Sequence, residues 1–528
     1  MAPKQPCAKY QYVVTPSGPK IVPVPDVYSK DEESPADYNS GGYLQVKIND
    51  TFKDGRYLVL RKLGWGHFST VWLAKDNLTR KHTALKVVKS AGRYAETARD
   101  EIKLLRQVMD ANPSHPGRHH IVSFLDHFDH ASAVDSHICL VFEPLGENLL
   151  TLIERHKKTG VAVDLVRVIA KQTLLGLQYL HDECDLVHTD IKPENILISI
   201  PDVEAHIQSE LSRSPSPTSR KVVVPPKQLT RASVAIPRHK NGRERQVQIF
   251  DSRPLSSPSS YSCPNSPARL SYISRVASTQ SALASLSSSS PRMNEDSEPR
   301  PQYSIRPAAG PSLLTQTAPR DFGPSSCSQH PPPSPPPDSL PQELAPIPPP
   351  LPVSIKIADL GNATPTRKHY TEDIQTRQYR APEAIVGRAD WGATADIWSV
   401  ACVMFELLTA EYLFDPQSQG DLFGKDDDHV AQIIELLGEY GETKWNGRFS
   451  RELFDSSGSL RYIRNLKPWP LKRVMVEKYL WSEEDAAKVC AFLEPMLVID
   501  HRDRKHARDM VDHPWLEVDP LSEDLWGW

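Results

Sequence analysis

Residues 187–197 read Val187-His188-Thr189-Asp190-Ile191-Lys192-Pro193-Glu194-Asn195-Ile196-Leu197. A carboxylate, an ammonium two positions later and a side-chain amide five positions later sit between a helix-patterned stretch and a short apolar run. That spacing suits a loop in which Asp190 accepts the proton of a hydroxyl, Lys192 neutralises a γ-phosphate and Asn195 binds a metal ion. The chemistry such a set serves is phosphoryl transfer. Few purely structural arrangements would ask for these three residue types at this spacing.

Two further groups fit the same chemistry. Leu63-Gly64-Trp65-Gly66-His67-Phe68-Ser69-Thr70-Val71 follows one β-patterned run and leads into another. Glycines one residue apart let a backbone hairpin approach phosphates closely. Taken alone, the pair reads better as a tight turn, and Ser69 stands where a third glycine would complete the usual pattern. Fifteen residues beyond Val71, Lys86 lies inside the apolar run Ala84-Leu85-Lys86-Val87, where an ammonium is costly unless paired. Its natural partner is Glu101, on a helix expected over Tyr94–Met109, at the turn flanked by Ala98 and Leu105. Such a pair would hold the ammonium against the α- and β-phosphates of a nucleotide.

Together these residues resemble the eukaryotic protein kinases, with His188-Thr189-Asp190 in place of that family's usual HRD. The resemblance implies a bilobal α+β fold, with a small β-rich lobe carrying one long helix and a large helical lobe. It also implies ATP and Mg²⁺ as cofactors, and a metal-binding Asp-x-Gly. Asp321-Phe322-Gly323 has the commoner spelling, but no strand precedes it and a proline tract follows. Asp359-Leu360-Gly361 follows the alternating run Val353–Ala358 and lies 22 residues before Ala381-Pro382-Glu383. Asp359 is therefore assigned to the metal beside Asn195, and the other triplet to coincidence. By the same resemblance, Asp396 organises the catalytic loop and Arg504 pairs with Glu383. Phe142 is the gatekeeper, and Glu143 and Leu145 offer hinge backbone groups to adenine. Residues 63–71, Ala84 and Lys86 surround the nucleotide.

The segments GWGHFSTVWLA, HTDIKPENIL, IADLGNA, TEDIQTRQYR, DDDHVAQIIELLG and LKPW narrow the match. They resemble the SR-protein kinases, a branch of the CMGC group that phosphorylates serines in arginine-serine repeats of splicing factors. A long spacer between catalytic loop and Asp359 is that branch's architecture, in a fungal-like form. The chain departs at Arg380-Ala381-Pro382-Glu383, where many members lack the Ala-Pro pair. The resemblance makes Asp428, Glu435, Glu411 and Lys478 a groove for arginine-serine segments. It makes Arg377, Arg380 and Lys425 a basic site for serines already phosphorylated, which favours processive phosphorylation. Asp426-Asp427-Asp428 precedes a helix expected over Val430–Leu437, which carries Glu435. Asp428 and Glu435 are seven apart and share a helix face, although acidic residues also suit a helix N-terminus for its own sake. Thr189 cannot supply the charge-assisted bond with which an HRD arginine binds an activation-loop phosphate, so activity is expected without phosphorylation of that loop. The alternatives are a LAMMER-like kinase with other substrates and a pseudokinase scaffold.

The elements that must position these residues fall into two blocks. Of 48 prolines, 29 lie between residues 201 and 352, together with 30 serines. Such a segment has too few apolar residues to offset its chain entropy. The expected organisation is a disordered tail over 1–41 and a first half-domain over 42–200. A disordered Pro/Ser-rich spacer then covers 201–352, a second half-domain 353–518 and a short tail 519–528. The spacer carries Ser214-Pro215, Ser257-Pro258 and Ser266-Pro267, and its proline tracts suit SH3- or WW-type modules. The formal net charge of -4 gives no basic field, so no direct nucleic-acid partner is expected. No apolar run reaches membrane-spanning length, so no membrane is expected either. The seven scattered cysteines, without a CxxC pair, point to a reducing compartment, the cytoplasm and nucleus.

Overall fold

The computed structural model describes residues 32–132, 135–214, 216–225, 245–256, 353–420 and 422–519, with Ser522, Leu525 and the backbone of 10–15 and 18–23. A hairpin of β1 (Tyr10–Thr15) and β2 (Gly18–Pro23) comes first. Six antiparallel strands then form one sheet: β3 (Thr51–Phe52), β4 (Tyr57–Gly66), β5 (Ser69–Asp76), β6 (His82–Val88), β7 (Phe124–Ala131) and β8 (Ser136–Phe142). Their spatial order is β3-β4-β5-β6-β8-β7.

Alternation sorts the two faces of this sheet. Val59, Trp72, Ala74, Leu85, Val87, Cys139 and Val141 share one apolar cluster. The other face receives α1 (Gly92–Asp110), whose Ala98, Ile102, Leu105 and Val108 recur at helical spacing and are buried with Ile138 and Leu140. Register shifts between β4 and β5 interrupt the alternation at Val59/Arg61 and Lys62/Gly64. As a result the consecutive residues Arg61 and Lys62 are both buried.

The large lobe is helical. It comprises α2 (Leu149–Arg155), α3 (Val163–Gln178) with a π turn through Glu183, and, after the insert, α5 (Pro382–Val386), α6 (Thr394–Thr409), α7 (Lys425–Leu437), α8 (Ser450–Leu453), α9 (Leu471–Glu477), α10 (Glu483–Leu493) and α11 (Ala507–Met510). Every residue of α6 except Thr409 is buried, as befits a mostly apolar helix at the centre of a domain; its carboxylates Asp396 and Glu406 are hydrogen-bonded. Two short ladders rejoin the chain across the insert. β9 (Leu186–Val187) pairs with β14 (Thr364–Pro365), and β10 (Ile196–Ile198) pairs with β13 (Ile355–Ile357). One domain interrupted by an insert is thereby the observed organisation.

Three sequence expectations need correction. The spacer does not begin as an unstructured segment at residue 201. Its start forms α4 (Val203–Arg213), and β11 (Ser219–Val223) pairs with β12 (Gln246–Phe250). Composition averaged over the whole spacer hid local clusters: Ile207 and Leu255 pack on Leu73 and Ile200, and Phe250 packs against Trp72. The tail before residue 42 also has a packed end. Tyr38 and Tyr43 are buried with Val222, Val224, Val247 and Ile249. Finally, the helix expected over Val430–Leu437 begins at Lys425, so the three aspartates form its first turn instead of preceding it. The proline tracts, Ser257-Pro258, Ser266-Pro267 and Asp321-Phe322-Gly323 lie outside the described residues.

Among the described residues, no helix is long and apolar enough to cross a membrane, and Cys139, Cys184, Cys402 and Cys490 are free, buried thiols.

Candidate active site

Lys86 lies mid-strand in β6, opposite Val71 and Leu140 in the ladders, and turns toward α1. Its Nζ is 2.8 Å from Glu101 Oε1 and 3.1 Å from Oε2. It is also 3.6 Å from Asp359 Oδ1. Burial disfavours the ammonium, but Glu101 and then Asp359 outweigh it and raise the Lys86 pKa. Burial likewise works against the Asp359 carboxylate, yet Lys86, His188 and Lys192 hold its pKa below the usual value. Three residues from three separate segments therefore form one charged cluster.

The catalytic loop hangs from Asp396 at the start of α6. The N–H groups of His188 and Thr189 donate to Asp396 Oδ2 and Oδ1 at 2.8 and 2.9 Å, and His181 Nε2 lies 2.9 Å from Oδ2. These bonds hold Thr189 at φ 66°, a left-handed conformation costly for a β-branched residue. The turn presents Asp190. Lys192 Nζ donates to Asp190 Oδ2 at 2.6 Å, and Asn195 Nδ2 donates to the Asp190 carbonyl at 2.9 Å. With its nitrogen so engaged, the Asn195 amide offers its oxygen to a cation. Asn195 and Asp359 thus supply hard oxygen donors, suited to a divalent cation whose other ligands are phosphates and water. The ladder Ile196↔Ile357 brings these two residues together from opposite ends of the insert.

Residues 63–71 form the β4–β5 hairpin, in which Gly66 pairs with Ser69. Among the described residues, and apart from each glycine's chain neighbours, no atom lies within 4 Å of where a Cβ on Gly64 or Gly66 would sit, leaving room for a close ligand approach. Phe142 ends β8 and packs against Phe124. At the hinge, the Glu143 N–H donates to the Ser123 carbonyl at 3.1 Å and its side chain pairs with Lys356 at 2.8 Å. Glu143 can therefore offer adenine only its carbonyl, with Leu145 following it.

Residues that the sequence reading passed over complete the site. Thr376 donates from its Oγ1 to Asp190 Oδ1 at 2.7 Å and accepts from Lys192 at 3.2 Å. Gln375 is buried. Its side-chain NH₂ donates to the Ala395 carbonyl and to Ser399 Oγ, both at 2.8 Å, and its oxygen accepts from the Ala381 N–H at 2.9 Å. Both lie in TEDIQTRQYR, a segment that narrows the resemblance, but nothing there assigns either a role. Arg504 and Glu383 form a bidentate pair with both distances at 2.8 Å and no exposure.

Asp428 and Glu435 share a face of α7 and connect it to its surroundings. Asp428 Oδ2 accepts from the Gln417 N–H at 2.8 Å, and Glu435 Oε1 from the Lys467 N–H at 2.7 Å. Glu411 and Lys478 pair with each other at 2.7 Å. Arg377 pairs with Asp426, Arg380 donates to the Gln375 carbonyl at 2.8 Å, and Lys425 is exposed at the start of α7.

The protein kinase domain family matches residues 57–208 and 351–516. The protein kinase dsk1 of Schizosaccharomyces pombe is 42% identical, covering 94% of this chain and 89% of that protein. SRSF protein kinase 3 of Mus musculus is 41% identical over 92% of this chain and 91% of its own. The serine/threonine-protein kinase SKY1 of Saccharomyces cerevisiae is 38% identical over 92% and 78%. The crystal structure of a kinase domain superposes with TM-score 0.52 at 20% identity, over 90% of this chain and 99% of that one, a likeness of fold.

Proposed function

Because the chain belongs to the SR-protein kinase family of eukaryotic serine/threonine protein kinases, we propose that it transfers the γ-phosphate of ATP to serines within arginine-serine segments of splicing factors. The observation that carries the substrate class is the acidic surface around α7. Asp428 and Glu435 lie on one face, and the hydrogen bonds from Gln417 and Lys467 join that face to the segments bearing Glu411 and Lys478. Guanidinium groups spaced along an extended peptide would meet carboxylates there. Arg377 follows Thr376, which bonds Asp190, and pairs with Asp426 in the first turn of α7; with Arg380 and Lys425 it would receive a phosphorylated serine.

In this reading Asp190 accepts the serine hydroxyl proton. Lys192 and Lys86 neutralise phosphate oxygens, while Glu101 holds Lys86 in place. A divalent cation, Mg²⁺ here, would be held by Asp359 and Asn195 and would neutralise charge on the nucleotide phosphates. The chain works in the cytoplasm and nucleus, and the proline tracts of the spacer recruit SH3- or WW-type partners that set this distribution. Imaging a tagged chain lacking 257–349 tests the last point; an unchanged distribution would refute it.

The deciding experiment measures ³²P transfer from Mg-ATP to an arginine-serine repeat peptide and to the same peptide with Arg replaced by Lys. Wild type, Asp190→Ala and the Asp428→Ala/Glu435→Ala pair are compared. The expected result is transfer that needs Asp190, prefers arginine, and shows a raised peptide KM in the double variant. Equal transfer to both peptides would overturn the substrate class and leave the kinase.

A further inference from the structure

The segment before β3 reaches the nucleotide loop directly. Tyr43 is buried, and its hydroxyl donates to the carbonyl of Gly66 at 2.6 Å. Its ring packs 5.5 Å from that of Tyr38 and lies 4.3 Å beneath Lys89 Nζ, an ammonium that Asp37 neutralises at 3.5 Å. Burial raises the Tyr43 pKa, so the hydroxyl remains a donor across the physiological range. Gly66 is the last residue of β4 and pairs with Ser69, so its carbonyl belongs to the tip of the β4–β5 hairpin.

Tyr43 is itself held by a turn made for it. Gly41 sits at φ 81°, and a Cβ on Gly42 would lie 1.7 Å from the Asp37 carbonyl oxygen. No residue but glycine fits at 42. The turn closes through Gly42 N–H to the Asn39 carbonyl and Tyr43 N–H to the Asp37 carbonyl, each at 2.8 Å. Its own carbonyls then accept from the two residues leading into α1: Ser90 N–H to Gly42 and Ala91 N–H to Gly41, both at 3.1 Å. Asp135 ties the same corner, accepting from Ser90 Oγ at 3.1 Å and from Gly41 N–H at 3.4 Å. One turn thus grips the beginning of the helix that carries Glu101 and, through Tyr43, the carbonyl of the second loop glycine.

We propose that Tyr43 is a positioning residue for phosphoryl transfer, whose hydroxyl sets the glycine loop over the nucleotide phosphates in fixed relation to α1 and the Lys86–Glu101 pair. This rests on the ATP-binding reading of the loop. An aromatic ring at position 43 would serve packing equally well without its oxygen; the oxygen is what reaches the loop.

The test compares wild type, Tyr43→Phe and Tyr38→Phe. Tyr43→Phe keeps the ring between Tyr38 and Lys89 and removes one hydrogen bond, so a rise of about five- to tenfold in ATP KM is expected. The peptide KM and the melting temperature should stay near wild type. Tyr38→Phe removes a hydroxyl that donates at 2.5 Å to Glu33, a partner of Lys62 and not of the Gly66 carbonyl, and should leave ATP KM unchanged. Hydrogen exchange of residues 64–71 should quicken in Tyr43→Phe alone. Unchanged ATP KM and exchange in Tyr43→Phe, or equal effects of both variants, would overturn the proposal. Calorimetric ATP binding separates the two readings. Weakened binding in Tyr43→Phe supports the role of Tyr43 even if no peptide is phosphorylated, whereas wild type that binds no ATP removes its premise.

Discussion

The main-chain N–H of Gln375 donates to the carbonyl of Thr189 at 2.9 Å, and both residues lie at φ 66°. This bond joins the activation segment to the catalytic loop at the position where an arginine would otherwise await a phosphate. The Thr189 hydroxyl adds a second link, donating to the Asn362 carbonyl at 2.8 Å. The Gln375 amide adds three bonds to α6 and to Ala381. Neutral hydrogen bonds in a buried site thus join the two segments that a phosphate–arginine pair joins elsewhere.

Activity should therefore persist after exhaustive phosphatase treatment of the purified chain. Gln375→Ala, which removes the buried amide, should reduce kcat at least tenfold. Loss of activity on dephosphorylation, restored by rephosphorylating Thr364, Thr366, Tyr370 or Thr371, would refute this account.

The second prediction concerns the buried pair behind the activation segment. Arg504 and Glu383 are both inaccessible to solvent, and Arg504 Nε also donates to the Val498 carbonyl at 2.8 Å. Removing one partner strands the other charge, so Arg504→Met should cost about 3–5 kcal/mol. Arg504→Lys should recover little, because a point charge cannot make the two parallel bonds. Thermal unfolding of the three proteins checks both statements; full rescue by lysine would contradict the second.

The candidate site residues stood out because each motif combines residue types that folding alone would not place together, and the structure brings Lys86, Glu101 and Asp359 into one cluster. Lys86 in an apolar strand and Asp190-x-Lys192 in a loop are costly arrangements in the absence of function. Choosing Asp359 over Asp321 needed only a preceding strand, and β13 supplies it. The borders of the spacer were not legible. Ile207, Val222, Val247, Ile249 and Phe250 are few among many prolines and serines, and their burial depends on a surface contributed by the sheet. Buried charges were missed for the same reason. Nothing in the sequence marks Arg61 and Lys62 as buried; β-bulges and distant carboxylates make them so.

The third prediction follows from those carboxylates. Arg61 Nη2 is 2.7 Å from Glu210 Oε2, with both side chains almost fully buried, and Glu210 also accepts from the Ser256 N–H at 2.8 Å. Lys62 meets Glu32 at 2.6 Å, Glu33 and the Phe250 carbonyl. The ends of the spacer are thus part of the small lobe. Replacing 257–349 by a short Gly/Ser linker should leave the melting temperature within a few degrees of wild type. Replacing 205–350 should lower it markedly, because Arg61 loses Glu210 and Lys62 loses the segment that seats Glu32. Equal stability of the two deletions would show that the spacer ends are dispensable.

The last prediction concerns pH. Glu406 is buried in α6 and accepts from the Tyr379 hydroxyl at 2.7 Å. Burial raises its pKa to about 8, the Tyr379 bond works against that shift, and Glu194 adds to it. In the unfolded chain a glutamate ionises near pH 4.3. Below that pH both states carry the proton, and the stability associated with neutral burial is fully present. As pH rises toward 8 the unfolded chain releases its proton while the folded one retains it, so stability falls across this window. Glu406→Gln keeps a neutral acceptor for Tyr379 and cannot ionise in either state. The melting temperature of the variant relative to wild type should therefore rise between pH 5 and pH 8. A difference that stays constant over this range would mean that Glu406 ionises alike in the folded and unfolded chains.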